Sequence, residues 1–319
     1  MSPCLSDPRF RNVSIITARN NQRDRINEEG SRRFAEDHGL ELTHFYSVDE
    51  LAGGDNPEVR QRKRKRGQNK GQTRKEPTLS GLTREDQDAL WESYPHMSDH
   101  VPGKLSLCVG MPVMIRNNEA TELCVTKGQE AIVAGWDVCD GPSGHQILET
   151  LFVQLINPPK DVQLADLPMN VIPLTKLRST IKCKAKSDQS LQIRRQQIPI
   201  LLNFAMTDYA SQGKTRVTNV VDLGHCHDHQ SYYTALSRSS SAAGTALIQD
   251  FAERKITNGI SGWLRQEFRE LNVLDEVTWL RYEGRLPNDI FGPLRNPVVR
   301  VYYLWMKAVG DDSRWHSAI

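Results

Sequence analysis

The sequence has no long hydrophobic run, no paired-cysteine motif and few aromatic residues. No apolar stretch approaches the roughly 20 residues of a membrane-spanning helix, and none follows a positive N-terminus as in a secretory signal. The six cysteines are scattered without a C-x-x-C pair, which predicts reduced thiols in an intracellular protein. A hydrophobic content of 38% with 25% charge indicates a globular protein, and a length of 319 residues fits one large domain, two modest domains or one domain with an insertion.

A phosphate-binding P-loop is also missing. The pattern G-x-x-x-x-G-K-[ST] occurs nowhere in the 319 residues, and Gly213-Lys214-Thr215 fails because Asp208 occupies the position of the first glycine. A carboxylate there would repel a phosphate. Since a nucleotide hydrolase of that class needs the loop to hold its triphosphate and magnesium, we expect negligible ATP hydrolysis by this chain alone.

Positive charge is concentrated in one segment. Residues 60–75 contain nine Lys or Arg and no acid, so the rest of the chain is net negative although the total is +2. The run could neutralise phosphates, serve as a nuclear localisation signal, or be a solvated loop. A second acid-poor stretch, residues 176–195, could track a nucleic-acid backbone or merely protect a sheet edge.

The apolar patterns predict an α/β protein with an insertion. A β-branched run ending at Thr17 leads into a helical pattern over 19–39, which is an α/β opening. From residue 105 several short strands alternate with glycine turns, as in a small β-barrel. A buried strand is predicted over 244–248, followed by helices over 260–271 and 298–308.

Most of the polar chemistry lies in residues 201–238. The pattern is an apolar strand ending at Thr207, a polar turn, a second apolar strand ending at Asp222, and a helix that reaches Arg238. The guanidinium of Arg238, at a helix end, is planar and able to bridge two phosphate oxygens.

Two segments of this region carry a resemblance to a known family. Residues 194–215, R-R-Q-Q-I-P-I-L-L-N-F-A-M-T-D-Y-A-S-Q-G-K-T, and 232–241, Y-Y-T-A-L-S-R-S-S-S, resemble motifs V and VI of superfamily 1B DNA helicases of the petite-integration-frequency type, relatives of RecD and the Helitron helicases. Residues 15–27 are similar to motif IV, and 105–117 to the β-barrel that these helicases insert.

The resemblance implies a RecA-like second helicase domain with an inserted Src-homology-3-like barrel and C-terminal helices. Its first part would be residues 1–50 and its second part 196–255, with motif IV in the first and motifs V and VI in the second. Between them would lie a basic linker at 51–100 and the barrel at 101–195. Residues 256–319 would form the helical extension.

The resemblance also implies roles for individual residues, all in the motif positions of this sequence. Arg238 would be the arginine finger, and Gln212 would sense the γ-phosphate, so both are candidate catalytic residues. The candidate ATP contacts are Gln212, Gly213, Arg238 and Arg19. The candidate single-stranded DNA contacts are Thr207, Tyr209, Ser211, Lys214 and Thr215.

Two features depart from the family or invite another interpretation. Tyr209 and Ala210 stand where the family commonly has His and a basic residue; Tyr209 could stack on a base or be a packed core aromatic. The cluster from His225 to His229 gives too few ligands on one face for a metal site. It is better interpreted as a helix cap, with Asp228 near the positive end of the helix.

Together these features predict the C-terminal motor half of an ATP-dependent 5′→3′ DNA helicase. It would bind single-stranded DNA and supply the arginine finger to an ATP and Mg²⁺ site whose P-loop belongs to a separately encoded ATPase domain. Nuclear or mitochondrial localisation and no membrane association are expected. The alternatives are a non-catalytic nucleic-acid-binding module and a degenerate, transposon-derived helicase fragment.

Overall fold

The computed structural model describes residues 7–52, 82–141, 144–184 and 190–310. The basic run at 60–75 lies outside these residues, as does most of the linker predicted at 51–100. The described chain divides into two compact units, one formed by Met1–Cys226 with Thr234–Phe251 and the other by His227–Tyr233 with Ala252–Ile319. The predicted domain boundaries stay predictions.

The described strands and helices are numbered along the chain. The strands are β1 (Ile15–Thr17), β2 (Thr43–Tyr46), β3 (Val48–Leu51), β4 (Lys104–Leu107), β5 (Pro112–Ile115), β6 (Glu130–Asp140), β7 (Gln146–Leu155), β8 (Val171–Thr175), β9 (Leu177–Lys184), β10 (Ser190–Gln197), β11 (Ile200–Leu202), β12 (Ala205–Thr207), β13 (Asn219–Asp222) and β14 (Thr245–Leu247). The helices are α1 (Asn20–His38), α2 (Arg84–Glu92), α3 (Asp208–Ser211), α4 (His229–Leu236), α5 (Arg254–Thr257), α6 (Gly262–Tyr282) and α7 (Arg295–Val309).

A four-stranded parallel sheet organises the first unit. Its order is β12-β1-β13-β14, so the first strand in the chain lies between the second and the third, as in doubly wound α/β proteins. The strands are short and apolar because both faces of such a sheet are covered. The predicted strand ending at Thr17 and the strand predicted over 244–248 are both confirmed.

Helix α1 is held against this sheet by one buried amide. The side-chain oxygen of Asn27 accepts hydrogen bonds from the backbone nitrogens of Phe204 and Ala205, at 2.9 and 2.8 Å, at the start of β12. Its amide nitrogen donates to the Ala205 carbonyl at 3.3 Å. The helix ends at His38 and is capped by Gly39, whose φ of +62° favours glycine. The predicted strand-to-helix opening is therefore confirmed.

The remaining strands of the first unit form antiparallel sheets. The largest has the order β11-β5-β6-β7-β8, and smaller ones pair β3-β10-β9 and β2-β4. The main hydrophobic core of the unit lies here and includes Phe45, Leu107, Met111, Ile115, Leu148 and Leu151. Within the described ranges the five strands pair as an open sheet, so the inserted barrel stays a prediction.

One arginine expected on the surface is in the core. Residues 176–195 were predicted to present cations to solvent, but Arg195 is fully buried. Its Nε and Nη2 donate to the two carboxylate oxygens of Asp49 at 2.9 and 2.7 Å, and its Nη1 donates to the Val101 carbonyl. The surface prediction is wrong for Arg195, because β10 places it on the covered side of its sheet, while Arg194 is exposed.

The second unit is built on α6 and α7, which pack against each other. Val273, Val277 and Leu280 of α6 form a cluster with residues of the following loop and of α7, namely Ile290, Val298, Val299, Tyr302 and Met306. Both predicted helices are confirmed, and α6 extends to Tyr282 because its apolar stripe continues past residue 271. Among the described helices, none is both long and apolar enough to cross a membrane.

Candidate nucleic-acid and nucleotide interface

Three polar side chains end three neighbouring strands of the parallel sheet. Thr17, at the end of β1, is in register with Thr207 of β12 on one side and with Asp222 of β13 on the other. The Thr17 hydroxyl donates to Asp222 Oδ2 at 3.2 Å. Open α/β sheets bind ligands beyond the carboxyl ends of their strands, where the strand order reverses. This carboxyl edge is therefore the first candidate surface.

Arg19 and Tyr209 lie just beyond this edge. Each stands two residues after one of the paired threonines, Arg19 before α1 and Tyr209 in α3. The Tyr209 side chain is 79% exposed, so the interpretation as a packed core aromatic is wrong. Arg19 is exposed as well. The edge thus presents an exposed cation and an exposed aromatic ring, the two kinds of side chain that bind the backbone and stack on the bases of single-stranded nucleic acid.

Thr207 also begins α3. Its hydroxyl oxygen accepts a hydrogen bond from the Ala210 nitrogen at 3.3 Å, which caps the helix. A hydroxyl that accepts in this way still has its own proton to donate. Thr207 is half-buried, so a donor remains available at the carboxyl edge.

Two other predicted DNA contacts are engaged within the protein. Ser211 is fully buried, and its hydroxyl donates to the Asp208 carbonyl at 2.6 Å. The Lys214 amino group donates to Glu130 Oε1 at 2.7 Å and to the Gly128 carbonyl at 2.9 Å. Neither group faces solvent without a partner, and their DNA contacts stay predictions.

The turn after α3 is exposed. Gln212 follows the helix with its side chain in solvent, and Thr215 is exposed further along. Gly213 has a φ of +78° with open space where a side chain would begin, as at the third position of a type II turn, and the Lys214 nitrogen closes this turn by donating to the Ser211 carbonyl at 3.2 Å. The helix is capped by Gln212, so the predicted use of Gly213 to end it is not confirmed, and the nucleotide contacts of Gln212 and Gly213 stay predictions.

Arg238 lies at the other end of the parallel strands. The backbone nitrogen of Arg216 donates to the Arg238 carbonyl at 2.7 Å, and Arg216 Nη1 donates to the carbonyl of Ser14, which directly precedes β1. This is the amino edge of the sheet. Arg238 and Arg19, both predicted ATP contacts, therefore lie at opposite edges, and Arg19 is grouped with Thr207 and Tyr209 instead.

The guanidinium of Arg238 is held by neutral groups. Its Nε donates to the Thr234 carbonyl at 3.0 Å and its Nη2 to the Ser237 hydroxyl at 2.8 Å. Within the described residues no carboxylate lies within ion-pair distance of it. A half-buried cation in this state is able to receive an anionic ligand.

A buried carboxylate network behind the carboxyl edge was missed by sequence reasoning. Asp222 is 3% exposed, and besides Thr17 it accepts hydrogen bonds from His225 Nδ1 at 2.8 Å and from Gln249 Nε2. An aspartate that ends an apolar strand, with a histidine three residues later, was the available signal. His225 thus belongs to this network.

The predicted helix cap is confirmed at Asp228, which accepts a hydrogen bond from the Ser231 nitrogen at 2.9 Å.

No group of three or more His, Cys, Asp or Glu side chains able to hold a metal ion occurs in the part of the chain that the structure describes.

Comparison with known proteins supports the resemblance at a coarse level. No protein-family model matches the chain. Over 66 residues it is 38% identical to the ATP-dependent DNA helicase PIF1 of Emericella nidulans, covering 21% of this chain and 9% of that protein. The chain is similar to Pif1 helicases.

Solved Pif1 structures extend this similarity to the fold. The Bacteroides Pif1 helicase in complex with ADP-AlF3 and ssDNA matches with a TM-score of 0.50 and 14% identity, covering 84% of this chain and 46% of that one. The Candida albicans Pif1 helicase matches with a TM-score of 0.49 and 17% identity, covering 81% and 49%. The Bacteroides match gives the chain a mixed α/β fold of the Pif1 helicase kind. The chain spans less than half the length of these relatives.

Proposed function

We propose that this chain is the motor half of a Pif1-like, ATP-dependent 5′→3′ DNA helicase. In this proposal single-stranded DNA binds along the carboxyl edge of the parallel sheet. Arg238, at the amino edge, is offered to ATP held by a P-loop domain. The sequence and fold similarity to Pif1 helicases supports the assignment to this class of helicase. The two edges of the sheet separate the proposed DNA contacts from the proposed ATP contact.

The placement of Arg19 and Tyr209 is the observation that carries the DNA part. Both side chains are exposed, and both stand two residues beyond threonines that are paired in register. Single-stranded DNA that crosses this edge would place one phosphate against the Arg19 guanidinium, another against the Thr207 hydroxyl, and a base against the Tyr209 ring. We accordingly assign Arg19 to DNA and not to the nucleotide.

The residues at the amino edge fit an incomplete nucleotide site. Arg238 has no carboxylate partner among the described residues and its guanidinium is anchored by one carbonyl and one hydroxyl, so its remaining donors can stabilise charge on a transferring phosphoryl group. Gln212 is exposed, and its role as the γ-phosphate sensor rests on the resemblance alone. ATP with Mg²⁺ would supply the free energy for movement, and its phosphates and metal would be held by the P-loop domain.

The DNA part is tested by the affinity of the chain for fluorescein-labelled oligodeoxythymidine, measured by fluorescence anisotropy. We expect Tyr209→Ala to weaken binding by roughly 5- to 150-fold, since one stacked base contributes about 1–3 kcal/mol. Arg19→Gln should weaken it and reduce the dependence on salt. Tyr282→Ala, which removes an 85% exposed tyrosine from α6, is the matched control. Equal affinities for wild type and Tyr209→Ala would overturn the assignment.

A further inference from the structure

A polar pocket of about 510 Å³ opens at the amino edge of the parallel sheet. Ser14, directly before β1, and Asn203, two residues before β12, form part of one wall. A second wall consists of Asn157, which follows β7, and of the turn that precedes β6. The pocket therefore lies between the parallel sheet and the largest antiparallel sheet, inside the first unit.

Among the charged side chains that line this pocket, Arg216 has the fewest hydrogen-bond partners for its donors. Its half-buried guanidinium makes one hydrogen bond, from Nη1 to the Ser14 carbonyl at 2.6 Å, although a guanidinium carries five N–H donors. No carboxylate among the described residues comes within ion-pair distance of it. Burial lowers the pKa of Arg216 below its usual range, and the nearby Glu130 only partly offsets this effect. An anion in the pocket would restore the lost solvation.

The other charges of the pocket leave it net positive. Lys214 and Arg216 are its cations and Glu130 is its acid, and Glu130 is already bonded to Lys214 at 2.7 Å. Neutral donors complete the lining, among them the Asn203 amide and the Thr215 hydroxyl. This mixture of one free guanidinium, one lysine and neutral donors is suited to an oxyanion with several acceptor oxygens.

We propose that this pocket is a binding site for a phosphate group, with Arg216 as its main ligand. The group could belong to a nucleotide or to a nucleic-acid backbone, since both present the same oxygens. Lys214 and Thr215, which line the pocket, are also candidate DNA contacts, whereas Arg216, Glu130 and Asn203 belong to neither surface of the proposed function. The test of this site needs neither ATP hydrolysis nor DNA unwinding.

The direct probe is inorganic pyrophosphate, titrated into the purified chain and followed by isothermal titration calorimetry. We expect one site, weakened at least tenfold in Arg216→Gln and less in Arg216→Lys, which keeps the charge but loses the fork. Arg178→Gln, which removes an exposed arginine of β9 paired with Glu50, is the matched control and should bind like wild type. Circular dichroism would show that each variant is folded.

The variant Glu130→Gln is expected to change pyrophosphate affinity in the opposite direction. It keeps an oxygen for Lys214 but removes the negative charge that opposes a bound anion, so we expect pyrophosphate to bind at least threefold more tightly. Absence of binding by wild type at millimolar pyrophosphate, unchanged binding by Arg216→Gln, or weaker binding by Glu130→Gln would each overturn the proposal.

Competition then identifies the source of the phosphate. Displacement of pyrophosphate by ADP alone assigns the pocket to a nucleotide, and displacement by oligodeoxythymidine alone assigns it to a backbone; either result supports the site. Failure of Tyr209→Ala to affect DNA binding would refute the proposed function while leaving this pocket intact. The two proposals therefore fail separately.

Discussion

The backbone nitrogen of Arg216 donates a 2.7 Å hydrogen bond to the carbonyl oxygen of Arg238. In return, the Ser240 nitrogen donates to the Arg216 carbonyl at 3.0 Å. These two bonds join the segment after the Gln212 turn to the segment after α4, although the two lie 22 residues apart along the chain. The backbone at Arg238 is consequently positioned by a segment outside its own helix.

Loss of this backbone donor should destabilise the amino edge. We expect Arg216→Pro to lower the free energy of unfolding by about 1 kcal/mol or more relative to Arg216→Gln, because both lack the guanidinium but only the proline lacks the N–H. Urea denaturation followed by circular dichroism measures the difference. Equal stabilities of the two variants would show that the bond to the Arg238 carbonyl contributes nothing.

Gly244 should not tolerate a side chain. A Cβ at this position would lie 1.9 Å from the carbonyl oxygen of Val217, which is backbone and cannot turn away. We expect Gly244→Ala to destabilise the first unit by about 1–3 kcal/mol in urea denaturation, since such overpacking forces a backbone shift. Gly135→Ala in β6, where the Cβ would meet open space, is the control and should have little effect.

The buried pair of Arg195 and Asp49 should be strongly coupled. Both side chains are fully buried and joined by two hydrogen bonds, so Asp49→Ala leaves an unpaired charge and should cost about 3–5 kcal/mol. The neighbouring pair of Arg178 and Glu50 joins β9 to β3 of the same sheet at the surface. Glu50→Ala should cost less than about 1 kcal/mol. Similar losses for the two alanine variants would contradict the burial of Arg195.

His100 should make the stability depend on mildly acidic pH. Burial, and next the charge of Arg23, lower the pKa of His100, and Arg23 Nη2 lies 3.2 Å from its Nδ1, which accepts. The folded state therefore resists protonation more than the unfolded state does. Its contribution is fully present above about pH 6.5 and is lost as the pH falls below that value. The other charged or titratable groups around it are Asp24, Arg116 and His96.

The measurement is the free energy of unfolding between pH 7.5 and 5. His100→Gln should flatten the decline by at most about 1.4 kcal/mol per pH unit, the limit for one proton. His44→Gln, at an exposed position of β2, is the matched control. A decline that is identical in wild type and His100→Gln would exclude His100 as its source.

Local patterns predicted the elements that carry the candidate site. The β-branched run before Thr17, the apolar runs ending at Thr207 and Asp222, and the cap at Asp228 all depend on neighbours within a few residues. The order of strands, turn and helix that these patterns predicted agrees with the structure and with the similarity to Pif1 helicases. For the same reason the long helix over Asn20–His38 was predictable almost to its ends.

What the sequence left open depended on distant partners. Alternate residues of a strand face opposite sides, so Arg194 and Arg195 could not both reach solvent, but the partner of Arg195 lies 146 residues away. Lys214 is paired with an acid 84 residues away. Exposure of the Tyr209 ring likewise depends on which elements fold over α3. Each of these outcomes follows from tertiary pairing, which no local pattern contains.

Arg238 and Tyr209 should be separable by substitution, because they lie at opposite edges of one short parallel sheet. Arg238→Ala removes a guanidinium from the amino edge, so oligodeoxythymidine binding should stay within about twofold of wild type while Tyr209→Ala loses it. Neither protein should release phosphate from ATP with magnesium and single-stranded DNA, since this sequence has no P-loop pattern. Anisotropy and a phosphate-release assay measure the two properties on the same preparations. Hydrolysis by the wild-type chain that Arg238→Ala abolishes would contradict the incomplete nucleotide site, because a complete one would then lie within this chain.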